Sequence, residues 1–223
     1  MRVLIALVIR LFRKILHPFE LHLIRLDERS VDPDPIKQFQ QWYRQAIRAR
    51  FYLAESMALV TASRDGVPSA RMVLLKKVDS RGFVFYTNYN SRKAQDLGEN
   101  PRATLLFHWP EMHCQVRIEG TVEKISSEES DQYFRTRLRE SRLGAIASPQ
   151  SEIIESRDEL DRLFEDISRR YADKEVPRPP YWGGYRLKPS CLEFWQGRAA
   201  RLHDRIVYDL RADGSWSIKR LAP

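Results

Sequence analysis

Two groups of side chains in this sequence have the types and spacing to hold anions. The first lies in residues 71–93, RMVLLKKVDSRGFVFYTNYNSRK. Arg71 and Lys76 sit on a stretch rich in β-branched and aliphatic residues, and Arg92 and Lys93 directly follow Ser91. Serine is a favoured helix N-cap, and a helix start attracts anions through its free N–H groups and its dipole. Together these cations form a candidate phosphate cradle. Arg71 and Lys76 differ in parity, so a regular strand sends them to opposite faces and predicts two separate anion contacts. Spacing alone favours the plainer reading, solvated charges on a hairpin edge and a basic helix start, since surface Lys and Arg are common. The second group is Tyr133, Arg137 and Ser141, spaced i, i+4, i+8 and therefore on one face of a helix that runs that far. A phenol, a guanidinium and a hydroxyl all donate hydrogen bonds, which suits a phosphate; an ordinary polar helix face is the alternative. His108, His113 and Cys114 flank a Pro110-Glu111 turn with no further ligand cluster, so no metal site is expected.

The elements that must position these groups follow from pattern and punctuation. Strands are expected at 57–63, 67–78, 83–88, 103–109, 113–125, 182–195, 201–210 and 215–221. Arg64-Asp65-Gly66, Asp79-Ser80-Arg81-Gly82 and Ala212-Asp213-Gly214 supply turns between them. Gln115 falls on the polar side of the alternating run Cys114, Val116, Ile118. Helices are expected after Asp34-Pro35, after Ser91 as far as Asn100-Pro101, after Ser127, and after the Ser156/Glu159 capping box. Ile36, Phe39, Trp42, Tyr43 and Ile47 form one apolar stripe, and Leu160, Leu163, Phe164, Ile167 and Tyr171 another. Mostly hairpin-linked strands predict a mainly antiparallel β-barrel with flanking helices, not a doubly wound sheet. Residues 31–223 read as a single domain behind an extension at 1–30.

The chain has 223 residues and a net charge of +8. Residues 1–30 hold six basic and three acidic side chains, so +3 of the +8 lies there. The stretch around Arg2, Arg10, Arg13, Lys14 and His17 has the pattern of a basic amphipathic helix, suited to an anionic membrane or a presequence. A helix packed on the body, or an extension ahead of a later start, are the alternatives. The apolar run at 3–9 is too short to span a bilayer. No zinc-finger spacing, RNA-binding signature or basic heptad region points to nucleic acid. Cys114 and Cys191 form no framework, so a reducing, cytoplasmic setting is expected.

Five runs then occur in order: RMVLLK at 71–76, FYTNYNSRKA at 85–94, QVRIEG at 115–120, WGGYRL at 182–187 and FWQGRAARLHDR at 194–205. With the closing IKRLAP, the chain from Leu26 to Pro223 resembles the pyridoxine/pyridoxamine 5'-phosphate oxidase family. The resemblance implies an FMN-binding split β-barrel, a homodimer with FMN between subunits. It implies oxidation of pyridoxine and pyridoxamine 5'-phosphates to pyridoxal 5'-phosphate by O2, with release of H2O2. Carried over, Arg71, Arg92 and Lys93 would hold the FMN phosphate, and Met72, Val73, Leu74, Leu75 and Lys76 would run past the flavin. Tyr86, Thr87, Gln115, Gln150, Ser151, Trp195 and Arg205 would complete that site. Lys76, Tyr133, Arg137 and Ser141 would bind the substrate phosphate, and Arg201, Leu202 and His203 would lie at the substrate ring, with Arg201 and His203 catalytic. The sequence departs from the pattern in three places. Cys114 stands where arginine is usual. Leu138 stands where proline is usual, which predicts a looser helix end beneath Arg137. The arginine and tyrosine of the family's N-terminal arm have no counterpart between His17 and Arg25.

Overall fold

The computed structural model describes residues 26–223. The amphipathic helix expected near the start, and the expected arm region at 17–25, fall outside them. Nine strands and five α-helices are present among the described residues. In chain order they are α1 (Pro35–Arg48), β1 (Ser56–Ala62), β2 (Pro68–Leu74), β3 (Lys77–Asp79), β4 (Gly82–Asn88), α2 (Arg92–Glu99), β5 (Arg102–Trp109) and β6 (Cys114–Lys124). They continue with α3 (Ser127–Thr136), α4 (Arg139–Ala147), α5 (Arg157–Arg170), β7 (Trp182–Gln196), β8 (Asp204–Leu210) and β9 (Trp216–Arg220).

All strand pairs are antiparallel, in the order β2-β1-β5-β6-β7-β4-β3, with β8 and β9 continuing from β7. This order fixes the shape. β2 and β3 stand at opposite ends of the row, yet only Leu75 and Lys76 separate them in sequence. Two residues reach only about 7 Å, so the sheet has to curl until its edges meet. Leu75 N–H donates to Glu55 O at 2.9 Å and Lys76 N–H to Val84 O at 2.8 Å, tying the seam to both sides. The single strand expected at 67–78 is therefore two, because the chain leaves one edge and joins the other at residues 75–76. β7 is long enough to serve two pairings: Trp182–Leu187 faces β4, and Cys191–Gln196 faces β8. At the β3–β4 turn, Gly82 has φ +128°, and a Cβ there would lie 2.0 Å from Leu187 O, so no other residue fits.

The inside of the curl is filled from β1, β4, β5, β6, β7 and β8, and α1 packs against it. Asp34 accepts from Ile36 N at 2.9 Å and caps α1, with Pro35 in its first turn. Phe39 is fully buried against Phe83 and Phe107, each with ring centroids 4.9 Å away. Ile36, Phe39 and Trp42 are core as expected, but Ile47 is 50 % exposed and Ala46 is the buried residue of that turn. The buried face is centred on Phe39, Trp42 and Ala46, and Ile47 falls roughly 100° to one side of that centre. Leu26 also belongs to this core, so the packed body already includes residue 26.

A second, smaller cluster of Phe134, Leu143, Val176 and Trp182 joins α3, α4 and β7. Phe164, Ile167 and Tyr171 of the α5 stripe pack on it, although no residue of α5 is fully buried. Two strands begin later than expected. β6 starts at Cys114, because His113 takes a left-handed conformation after a 3-10 turn. β8 starts at Asp204, because Ala199–Arg201 form another such turn. No helix of the described residues is long and apolar enough to cross a membrane. Phe39→Ala is expected to cost about 3–5 kcal/mol of stability, read as a lower urea midpoint with an unchanged m-value.

Candidate active site

A cavity of about 800 Å³ opens between β2, the β4–α2 junction and the α3–α4 pair. Arg71, Met72, Val73, Leu74 and Lys76 line one side; Tyr86, Thr87, Arg92 and Lys93 line the next. Tyr133, Arg137 and Ser141 close it from the helices, and Gln150 and Ser151 from the loop after α4. The opposite-face expectation for Arg71 and Lys76 fails. Strand periodicity stops at the 75–76 seam, and both side chains reach one cavity. Leu75 is the exception in its run: it is buried in the main core and does not line the cavity.

The cations here have few partners of opposite charge. Lys93 is 9 % exposed, and its Nζ donates to Thr87 Oγ1 at 3.1 Å, Ser91 Oγ at 3.0 Å and Gln150 Oε1 at 3.0 Å, all neutral acceptors. Burial, and then the Arg71 charge, push its pKa down to about 8. Ser91 occupies the N-cap of α2, but its hydroxyl donates to Asn88 O at 2.7 Å and does not cap the helix. Arg71 donates to Thr61 Oγ1 at 2.7 Å, Ser69 Oγ at 2.6 Å and Leu59 O at 3.2 Å. Its one carboxylate, Asp96, lies 3.8 Å away and takes a 2.6 Å hydrogen bond from Thr61. Three cations thus face one anion, which leaves room for a phosphate dianion.

The second anion group is assembled differently from its sequence expectation. The N-cap of α3 is Ser126, which accepts from Glu129 N at 3.1 Å, so the cap lies one residue before the expected Ser127. It ends at Thr136, and α4 begins at Arg139. Tyr133, Arg137 and Ser141 are therefore not on one continuous helix; the bend between α3 and α4 brings them to the same cavity. Arg137 lies 4.7 Å over the Trp182 ring, which supplies about 0.5–2 kcal/mol of cation–π attraction. Its Nη1 is buried without a hydrogen-bond partner among the described residues, and burial lowers the guanidinium pKa. A buried, unpaired guanidinium N–H is costly, so this donor is set for an anion. Tyr86 stacks on both Tyr133 (3.9 Å) and Trp182 (5.3 Å), and burial pushes its phenol up to about 12. Trp182 and Ser69 line the cavity but did not stand out in the sequence; position 182, heading WGGYRL, carried the only signal.

The remaining expected site residues form a separate patch. Gln115, Trp195 and Arg205 sit side by side in one row across β6, β7 and β8. His203 lies 4.5 Å from the Trp195 ring, and Arg201 and Leu202 are exposed beside it. None of these lines the cavity. Arg205 donates to buried Glu193 at 2.7 Å, and Arg117 donates to the same carboxylate at 2.6 Å. Burial opposes ionisation of Glu193, and the two arginines outweigh it and hold its pKa low. Cys114 is packed inside, its Sγ 3.1 Å from Gln196 Oε1, and burial pushes the thiol up to about 12.

An antiparallel half-barrel with a cation-lined cavity defines the class of protein. Residues 43–180 match the pyridoxamine 5'-phosphate oxidase family, and residues 182–223 match the pyridoxine 5'-phosphate oxidase C-terminal dimerisation region. The chain belongs to this family. It is 55 % identical over 198 residues to the pyridoxine/pyridoxamine 5'-phosphate oxidase of Rubrobacter xylanophilus, covering 89 % of this chain and 91 % of that one. It is 54 % identical over 200 residues to the enzyme of the same name from Burkholderia lata, covering 89 % and 93 %. Among solved structures it is similar to PhzG of Burkholderia lata in complex with tetrahydrophenazine-1-carboxylic acid, with TM-score 0.84, 31 % identity and coverage of 90 % and 98 %.

Two outcomes follow from this geometry. Leu138 has φ −54°, Arg137 before it is extended at φ −74°, ψ 148°, and the Leu138 N–H has no protein acceptor among the described residues. The backbone already has the shape proline needs, so the departure at 138 leaves the local geometry unchanged. Leu138→Pro should add about 0.4–1 kcal/mol, read in the unfolding midpoint. Lys93 loses its proton as pH rises through about 8 in the ligand-free protein. A bound phosphate favours the charged form, so binding above that pH takes up a proton. Affinity for a phosphate in this cradle should therefore fall above pH 8, by at most about tenfold per unit. In Lys93→Arg, whose charge persists, calorimetric titration from pH 7 to 9.5 should give a nearly flat profile.

Proposed function

We propose that this protein is an FMN-dependent oxidase that converts pyridoxine 5'-phosphate and pyridoxamine 5'-phosphate to pyridoxal 5'-phosphate, with O2 as acceptor and H2O2 as product. The observation that carries this reading is the pair of anion subsites in one cavity. Arg71, Arg92 and Lys93 form one, and Arg137 with Tyr133 and Ser141 the other. A phosphorylated cofactor and a phosphorylated substrate, held side by side, need this arrangement. The residues fit FMN: neutral acceptors around Lys93 and one distant carboxylate on Arg71 leave cationic charge for its phosphate.

Arg137 supplies the unpaired N–H for the substrate phosphate, oriented by its stacking on Trp182. Tyr133 and Ser141 add donors, and Lys76 at the seam adds charge. When bound, FMN supplies the hydride acceptor for the substrate's C4' carbon, and O2 then takes the electrons to give H2O2. The alcohol yields the aldehyde directly, and the amine yields an imine that water hydrolyses. Arg201 and His203 orient the substrate ring and handle charge near C4'. They sit outside the cavity of their own chain, within the stretch matching a dimerisation region. The reading is therefore a homodimer in which the patch of Gln115, Trp195, Arg201, Leu202, His203 and Arg205 from one copy completes the cavity of the other.

A second reading, a flavin oxidase for a phenazine-type substrate, draws on the likeness to PhzG. The higher identity to the oxidase from that same organism, 54 % against 31 %, favours the first. The test is an anaerobic visible spectrum of the yellow protein before and after each phosphate. Bleaching is expected with both, and Arg137→Ala should raise KM for them roughly 10- to 100-fold while keeping the flavin. A spectrum that stays yellow with both phosphates but bleaches with a reduced phenazine carboxylate sinks the first reading and leaves the second.

A further inference from the structure

The segment 197–203 carries Arg201 and His203, and its conformation is costly. Ala200 and Arg201 are consecutive non-glycine residues in left-handed backbone, with φ +55° and +60°. Such geometry persists only where its surroundings over-determine it. The ends of the segment provide that constraint. Gln196 pairs with Asp204 in the sheet, and Arg198 Nε donates to Asp204 Oδ2 at 2.6 Å. The other oxygen of Asp204 accepts from Arg220 Nη1 at 2.9 Å. Arg220 is itself forked onto Glu28 at 2.7 Å through both Nε and Nη2, and Nη2 also donates to Leu26 O at 3.0 Å. The clasp is thus anchored to the start of the packed body.

Inside the clasp, Arg198 N–H donates to His203 Nδ1 at 3.1 Å. An accepting Nδ1 carries a lone pair, so the proton of the neutral ring resides on Nε2. The Trp195 ring, 4.5 Å from the imidazole, limits its swing. Arg198 Nη2 is buried without a partner, so removing Asp204 would leave that guanidinium without its counter-ion.

We infer that Arg198 and Asp204 are positioning residues: their ion pair closes the 198–204 loop and holds His203 as the Nε2–H tautomer beside Arg201. Nothing in the cavity requires this pair, and it touches neither anion subsite. The inference rests on the proposed reaction for its kinetic consequence, and on the loop geometry alone for its tautomer.

The test uses FMN-loaded full-length Arg198→Ala, Asp204→Asn and Arg198→Lys. Arg198→Ala and Asp204→Asn are expected to retain flavin and to reoxidise in O2 at the wild-type rate. Their anaerobic bleaching by pyridoxine 5'-phosphate should slow roughly 10- to 100-fold, the loss expected of a misplaced reacting group. In histidine-labelled protein, long-range 1H–15N spectra should show one Nε2–H tautomer for wild-type His203 and a mixture in these two variants. Arg198→Lys should restore part of both signals. An unchanged His203 spectrum in both variants overturns the inference whatever the rate. A changed spectrum with wild-type bleaching overturns the positioning role. If wild-type protein bleaches with neither phosphate, the proposed reaction fails instead, and the spectra alone decide the clasp.

Discussion

The two-residue seam at Leu75-Lys76 is the constraint on which the rest depends. It joins the outermost strands of a seven-strand row, and covalent geometry then leaves the sheet no choice but to curl. Curling puts Leu75 in the core and Lys76 at the rim of a cavity whose other wall is β4 and the start of α2. It also places Arg71, on the last stretch of β2, near Lys93, which lies beyond β4 in sequence. The site is a by-product of barrel closure, and the burial of Phe39, Phe83 and Phe107 inside the curl stabilises it.

Electrostatics then give the cavity its chemistry. Elsewhere in the described residues the basic side chains are often matched: Arg186 with Asp79 and Glu129, Arg178 with Asp131, Arg205 with Glu193. Around the cavity, among the described residues, the one such match is Arg71 with Asp96 at 3.8 Å. Lys93 meets only neutral oxygens, and Arg137 has a buried N–H with no partner. Stacking on Trp182 recovers part of the cost of burying Arg137. Unmatched buried charge is destabilising in the empty protein, and an anion that relieves it is bound with that same free energy. On the proposed reading, stability given up by the fold returns as affinity for phosphate.

The structure divides the expected site residues into a cavity set and a patch set, which pack by different means. The cavity set hangs on the seam, a helix start and a bend between two helices. The patch set hangs on a row across three strands and on a clasped, strained loop. Such a division suits a site that forms between copies, because each copy can hold its share rigidly before they meet.

The amino-acid sequence alone determined a good deal. Hairpin turns, capping signals and alternating strands were enough to specify an antiparallel barrel with helices outside it, since these depend on local backbone preference and period. Motif order was enough to specify the family, and residue type was enough to single out Arg71, Lys93, Tyr133 and Arg137 as candidates for holding anions. Tertiary structure decided what periodicity could not carry across a break. Parity ends where β2 gives way to β3, so Arg71 and Lys76 share a cavity. Helical spacing ends at Arg137, so a bend, not a common face, gathers Tyr133, Arg137 and Ser141. Ile47 lies outside the core because the helix turns Phe39, Trp42 and Ala46 inward and leaves position 47 at the side of that face. Whether a buried cation is matched or unmatched is set by side chains far apart in sequence, such as Lys93 and Gln150, and only the folded chain brings them within reach.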